Sequence, residues 1–133
     1  MNERSELGHY AEEKVAEILR KKGFIISKMN YHSRFGEIDI IAETRKSLHF
    51  IEVKLRGEDA LVSAVQSVDA SKQKRIILTA LDYISKSHTE HLQPSFDVAD
   101  ITETKNDNGK KTYRIKYIPD AFDAELINEF KGV

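Results

Sequence analysis

Acidic and basic side chains recur in two neighbouring segments of the chain, GEIDIIA at residues 36–42 and FIEVKLR at residues 50–56. Both segments alternate in side-chain character with a period of two, which predicts β-strands whose alternate residues share a face. Asp39 and Glu52 would supply two carboxylates, and Lys54 would share the face of Glu52. With a backbone carbonyl and water, such carboxylates make an all-oxygen site that suits Mg²⁺ or Mn²⁺ better than zinc.

The short sequence ETRK between these strands predicts a hairpin. If its turn is the commonest two-residue kind, Arg45 and Lys46 form the tip, and Asp39 lies opposite Glu52. The same register pairs Glu37 with Lys54 and Ile41 with Phe50 on that face, and Ile38 with Val53 and Ile40 with Ile51 on a buried core face.

Two carboxylates set against each other on a sheet destabilise it. With their bases ~5 Å apart and an effective dielectric constant of about 20, the repulsion is roughly 3 kcal/mol. A shared proton, a cation such as Lys54, or a bound divalent metal would compensate it. The alternative is a solvated sheet face, in which Glu37 and Lys54 form an ion pair of little energetic value.

A third carboxylate comes from the helix predicted at residues 5–22, which ends at Gly23. By helical rotation Glu12 lies about 90° from the centre of the apolar stripe, whereas Glu13 lies about 190° from it. Glu12 is therefore expected to point towards a sheet edge and Glu13 towards water. A solvated carboxylate at the rim of the helix is the alternative role for Glu12.

The remaining pattern predicts a short strand at 24–29, a loop at 30–34, a helical tract from 60 to about 87, a linker at 87–95, strands at 96–102 and 111–118, and a final helix at 123–130. The order of helix, three strands, long helix, two strands and helix indicates an α/β fold. We expect a mixed central sheet flanked by helices on both faces.

The composition bounds the class of protein. The 133 residues fit one domain, residues 1–133, and 40% apolar with 32% charged residues is typical of a soluble globular chain. The absence of cysteine excludes disulfide scaffolds, thiolate metal sites and thiol nucleophiles. No segment resembles a membrane span or a secretory signal, so a cytoplasmic location is expected. A net charge of −1 leaves nucleic-acid contact to local basic patches.

The two strands resemble the D…(D/E)xK signature of the restriction-endonuclease-like nuclease superfamily. More closely, the chain resembles the YraN-type family of small bacterial proteins, regarded as endonucleases related to Holliday-junction resolvases. The residues that carry the resemblance are Gly8, Glu12, Leu19, Gly23, Asn30, the GEID and E-V-K-x-R motifs, Lys72 and FDV at 96–98. The chain departs from the family where Ala11 replaces a common Gly and Ser95 a usual Arg.

The resemblance implies a restriction-endonuclease-like core and metal-dependent hydrolysis of DNA, duplex or branched, with Holliday junctions as one such substrate. In that scheme Asp39, Glu52 and Glu12 hold Mg²⁺ or Mn²⁺, and Lys54 positions the attacking water. Phosphate contacts are expected from bases near the cleft: Arg34, Arg56, Lys72 and Arg75.

Three expectations about partners and function stay open at this point. A homodimer would join two basic patches and place two sites on two strands. A nucleic-acid-binding module of the same fold without catalysis is an alternative to the enzyme. The other alternative is a protein-interaction domain whose acidic hairpin is merely solvated.

Overall fold

A computed structural model describes residues 3–131 of the chain. Its elements, in chain order, are α1 (Glu3–Lys21), β1 (Ile25–Ser33), β2 (Gly36–Glu43), β3 (Ser47–Gly57), α2 (Ala70–Ser87), β4 (Gln93–Lys105), β5 (Lys111–Phe122), a 3-10 turn (Ala124–Leu126) and α3 (Ile127–Phe130). None of the helices in this part of the chain is both long and apolar enough to cross a bilayer.

The five strands form one sheet in the order β1-β2-β3-β4-β5. β3 and β4 run parallel, whereas the other three neighbouring pairs run antiparallel. Parallel neighbours need a crossover connection, and α2 lies in the segment that joins β3 to β4. The predicted mixed sheet is confirmed.

Each face of the sheet buries one helix. The α2-side cluster combines α2 with one face of the strands, and its buried members include Ile38, Ile41, Phe50, Ile76, Ile77, Ala80, Tyr83, Phe96 and Val98. The α1-side cluster combines α1 with the opposite face, and its buried members are Ala11, Val15, Ala16, Leu19, Ile40, Ala42, Ile51, Ala99 and Ile101. The predicted arrangement of helices on both faces is therefore confirmed.

The hairpin between β2 and β3 has the predicted register near its tip. Ile40 lies opposite Ile51 and Ile41 opposite Phe50, and the Thr44 N–H donates to the Ser47 carbonyl across the two-residue turn. The paired ladder ends at Ile40 and Ile51, so the three pairs predicted beyond it are wrong: Asp39 with Glu52, Ile38 with Val53, and Glu37 with Lys54. Ile38 packs in the α2-side cluster, while Ile40 packs in the α1-side cluster.

Several predicted boundaries also need correction. Residues 30–34 were expected to form a loop, yet β1 continues to Ser33 and pairs with β2 as far as Gly36. The helical tract begins only at Ala70, where the Asp69 side chain caps α2. β4 begins at Gln93, inside the expected linker, because pairing with β3 extends back to Ser47. The final helix is short and opens with a 3-10 turn.

Candidate active site

The centre of the candidate site is an irregularity shared by β1 and β2. On β1, Met29 packs in the α1-side cluster and Tyr31 in the α2-side cluster, although residues two apart normally share a face. Ile38 and Ile40 show the same change of side on β2. Met29 pairs with Ile40, and Tyr31 pairs with Ile38. β1 therefore changes sides at Asn30, and β2 changes sides at Asp39.

Where the strands change sides, the Asp39 carboxylate accepts a hydrogen bond from the backbone of the neighbouring strand β3. The Val53 N–H of β3 donates to Asp39 Oδ2 at 2.8 Å, just beyond the last paired residues of the hairpin. A side chain thus replaces a strand carbonyl as the acceptor.

Asp39 is an electrostatically strained carboxyl group. Burial, followed by the negative charge of Glu52, raises its pKa from 3.8 to about 7, against the opposing effect of the Val53 N–H. The carboxyl groups of Glu12 and Glu37 add smaller contributions in the same direction. The four acidic side chains therefore share one electrostatic environment, in which an added positive charge is favoured.

Two lysines neutralise the second carboxylate. Glu52 is only 7% exposed, and its Oε1 lies 3.0 Å from Lys72 Nζ and 3.5 Å from Lys54 Nζ. Lys54 comes from the same strand, while Lys72 comes from the first turn of α2. The position of Lys72 is fixed locally, because its backbone N–H donates to the capping Asp69 Oδ1 at 2.9 Å.

The helical carboxylate also faces the site. The Glu12 side chain is 13% exposed, and its Oε2 accepts a hydrogen bond from Asn30 Nδ2 at 2.9 Å. Burial raises the pKa of Glu12, and the Asn30 amide opposes the rise. Glu13, by contrast, is exposed. The predicted orientation of the two glutamates is confirmed.

The donor set fits a hard divalent cation that keeps part of its water shell. Within residues 3–131, no three His, Asp or Glu side chains form a ready-made cage for a metal ion. Mg²⁺ rarely uses such cages, since it usually binds one or two carboxylates and retains several waters. Asp39 and Glu52 supply two carboxylates, and Glu12 supplies a third in the same electrostatic environment.

A cleft of about 480 Å³ has Glu37 in its lining, whereas Asp39, Glu52 and Glu12 are not part of that lining. It lies between the connection of β1 to β2 and the start of α2, and three basic residues line it: Arg34, Lys72 and Arg75. Lys72 joins the cleft to the carboxylates, because its ammonium group also contacts Glu52. Gly36 begins β2 with a φ of 155°, a backbone conformation that residues with a side chain rarely adopt, and it faces Arg75 of α2.

Arg56, the fourth expected phosphate contact, lies elsewhere. Its guanidinium group donates to both carboxylate oxygens of Asp100 at 2.9 Å and to the Val62 carbonyl at 2.6 Å. It does not line the cleft. The side chain therefore ties the segment before α2 to the sheet, and a phosphate contact by Arg56 stays a prediction.

A second buried polar cluster surrounds Asp97, the acid of the FDV motif. Its carboxylate is 1% exposed and accepts hydrogen bonds from His49, Ser95, Tyr117 and the Asp120 backbone. Burial alone would raise the pKa of Asp97, but these bonds hold it below its usual value. None of these residues lines the cleft. The cluster fixes β3, β4 and β5 relative to one another.

Comparison with known proteins assigns the chain to a family. A family model described as the uncharacterised protein family UPF0102 matches residues 11–101. The chain belongs to this family. A UPF0102 protein of Nitrosococcus oceani is 36% identical over 119 residues, covering 89% of this chain and 92% of the relative. A UPF0102 protein of Hahella chejuensis is 37% identical over 117 residues, covering 88% of this chain and 90% of the relative. One of Dichelobacter nodosus is 40% identical over 96 residues, covering 72% of this chain and 76% of the relative.

The UPF0102 match confirms the resemblance to the YraN-type proteins. It spans Glu12, Asp39, Glu52 and Lys72, whereas β5 lies outside it. Sequence reasoning placed these side chains near one another but missed the contact of Lys72 with Glu52 and the contact of Asn30 with Glu12. Two signals for Asn30 were available: it is one of the residues that carry the family resemblance, and asparagine tolerates backbone conformations that strands do not normally use.

Proposed function

We propose that this UPF0102 protein is a metal-dependent endonuclease that hydrolyses phosphodiester bonds in DNA. One observation carries the proposal: the Asp39 and Glu52 carboxylates share an electrostatic environment, and Lys72, which contacts the Glu52 carboxylate, lines a cleft together with Arg34 and Arg75. Acids that favour a cation, next to bases that favour phosphates, are the groups that phosphodiester hydrolysis needs.

Asp39 and Glu52 would hold Mg²⁺ or Mn²⁺, with Glu12 as the third acid of the site. A bound divalent cation would act as a Lewis acid on the phosphodiester and lower the pKa of an attacking water. Lys54 lies on the face of Glu52 and would orient that water through its ammonium group. Lys72, Arg34 and Arg75 would bind the phosphates on either side of the scissile bond.

A second candidate is a nucleic-acid-binding module without catalysis. This candidate is favoured because the protein's own groups reduce the negative charge of the site. Lys72 and Lys54 contact Glu52, and the pKa of Asp39 is raised to about 7. Such a module would bind DNA through the same basic cleft. Its binding would depend on salt, and no strand would be cut.

Cleavage of supercoiled plasmid and of a four-way DNA junction, with Mg²⁺, Mn²⁺ or EDTA, tests the two candidates. We expect nicking that requires the cation and that is lost in Asp39→Asn and Lys54→Ala. Asp107→Asn and Lys110→Ala, in the exposed turn between β4 and β5, are matched controls that should cut normally. DNA binding without cation-dependent cutting would overturn the nuclease proposal and support the binding module.

A further inference from the structure

Asn30 has an unusual backbone for a strand residue. Its φ is 51°, in the left-handed region, although it lies inside β1. Among non-glycine residues asparagine is one of the few that adopts this region readily. The left-handed residue occurs where β1 changes sides, opposite the point where β2 changes sides at Asp39.

The Asn30 side chain reaches across to α1. Its Nδ2 donates to Glu12 Oε2 at 2.9 Å, and this bond joins two residues that are 18 positions apart. His9 Nδ1 lies 3.8 Å from the same oxygen, which is longer than a hydrogen bond. Asn30 is therefore the group that fixes the Glu12 carboxylate on the side of Asp39.

We propose that Asn30 is a positioning residue of the metal site, and this inference rests on the proposed function. Its left-handed backbone lies at the change of side in β1, opposite the change of side at Asp39 in β2. Its amide holds the Glu12 carboxylate in the orientation from which it assists the cation. Groups that orient a ligand in this way typically change metal affinity by about 10- to 100-fold when removed.

The Asn30→Gly variant separates the backbone role of Asn30 from the role of its side chain. Glycine adopts positive φ freely but has no side-chain amide, so the backbone should be retained while Glu12 loses its hydrogen bond. His88→Gly is the matched control, because His88 also has a positive φ, 57°, at the carboxyl end of α2. That control removes a side chain from a left-handed position with no contact to the acidic residues.

Mn²⁺ affinity of the intact protein, measured by isothermal titration calorimetry, is the main readout. Asn30→Gly should bind Mn²⁺ about tenfold more weakly than wild type and His88→Gly as tightly as wild type. Glu12→Ala, which alters α1 rather than the strand, removes the acid itself and should lose at least as much affinity. The double variant should be no weaker than Glu12→Ala alone, because both changes remove one interaction. DNA cutting by Asn30→Gly should recover at saturating Mn²⁺.

An Asn30→Gly variant that binds Mn²⁺ as tightly as wild type would overturn the positioning role. If that variant fails to fold, unchanged Mn²⁺ affinity in Glu12→Ala would overturn it. Additive losses in the double variant would also overturn it, since Asn30 would then act independently of Glu12. Wild-type protein that binds no Mn²⁺ overturns both proposals. Wild-type protein that binds Mn²⁺ without cutting DNA overturns the nuclease alone, and the affinities still test Asn30.

Discussion

Replacing Asp39 by asparagine should make the metal-free protein more stable at alkaline pH. The pKa of Asp39 rises from 3.8 to about 7 on folding, and each pKa unit corresponds to about 1.4 kcal/mol. The ionised carboxylate thus disfavours the folded state by up to about 4 kcal/mol at pH 8 and by about 2 kcal/mol at pH 5. The amide oxygen of asparagine still accepts the Val53 N–H, so the hydrogen bond across the strands is kept.

The sign of the pH dependence follows from which state loses its proton first. Below pH 4 Asp39 is protonated in both states and has no effect on stability. Between about pH 4 and pH 7 the unfolded chain ionises while the folded chain keeps its proton, so the free energy of unfolding falls as the pH rises. Above pH 7 both states are ionised, and the difference stays constant. Asp39→Asn lacks this dependence.

Urea unfolding in EDTA at pH 5 and pH 8 measures the effect. We expect Asp39→Asn to gain about 2–4 kcal/mol over wild type at pH 8 and clearly less at pH 5. Asp107→Asn removes the same charge from an exposed turn and should change stability by less than about 0.5 kcal/mol. If Asp39→Asn is no more stable than wild type at pH 8, ionised Asp39 does not destabilise the folded state and the reasoning is refuted. An equal gain in the free energy of unfolding at both pH values would refute it too.

Three further predictions concern other parts of the site and its support. Lys72→Met should lower the free energy of unfolding in EDTA by about 1–3 kcal/mol, since it removes one cation from buried Glu52. Saturating Mg²⁺ should reduce this loss in thermal melts, and a loss that Mg²⁺ leaves unchanged contradicts a metal site at Glu52. Arg75→Ala should weaken duplex DNA binding about three- to tenfold and reduce the salt slope by about one, as measured by fluorescence anisotropy; an equal effect of Lys110→Ala argues against the cleft. Asp97→Asn should cost about 3 kcal/mol or more at pH 7 in urea unfolding. Because hydrogen bonds hold the pKa of Asp97 below its usual value, wild type should keep this stability until the pH falls below about 4; a wild-type protein that loses it near pH 6 contradicts the assignment.

The features that could be predicted from the sequence are those that short-range geometry determines. A two-residue turn fixes the register of a hairpin, which is why Ile40 and Ile51 were placed opposite each other correctly. Helical rotation likewise determines which of Glu12 and Glu13 faces the sheet. The order of the predicted helices and strands then sufficed to predict the mixed sheet with helices on both faces.

The features that were missed depend on contacts between distant residues. A strict period of two placed Ile38 and Ile40 on one face, whereas the change of side at Asp39 separates them. The segment before α2 was predicted to be helical, but Arg56 holds it through the Val62 carbonyl. The other partner of Arg56 is Asp100, 44 residues away, and only the parallel pairing of β3 with β4 brings them together.

The hydrogen bond between Asp39 and Val53 also limits which acid can occupy position 39. One carboxylate oxygen completes the sheet, so a single oxygen remains uncommitted. The carboxyl group must therefore sit at a fixed height above its own backbone, which aspartate reaches and the longer glutamate overshoots. Replacing aspartate by glutamate is harmless at most surface positions. At position 39 it would break the hydrogen bond between two strands and displace the uncommitted oxygen as well.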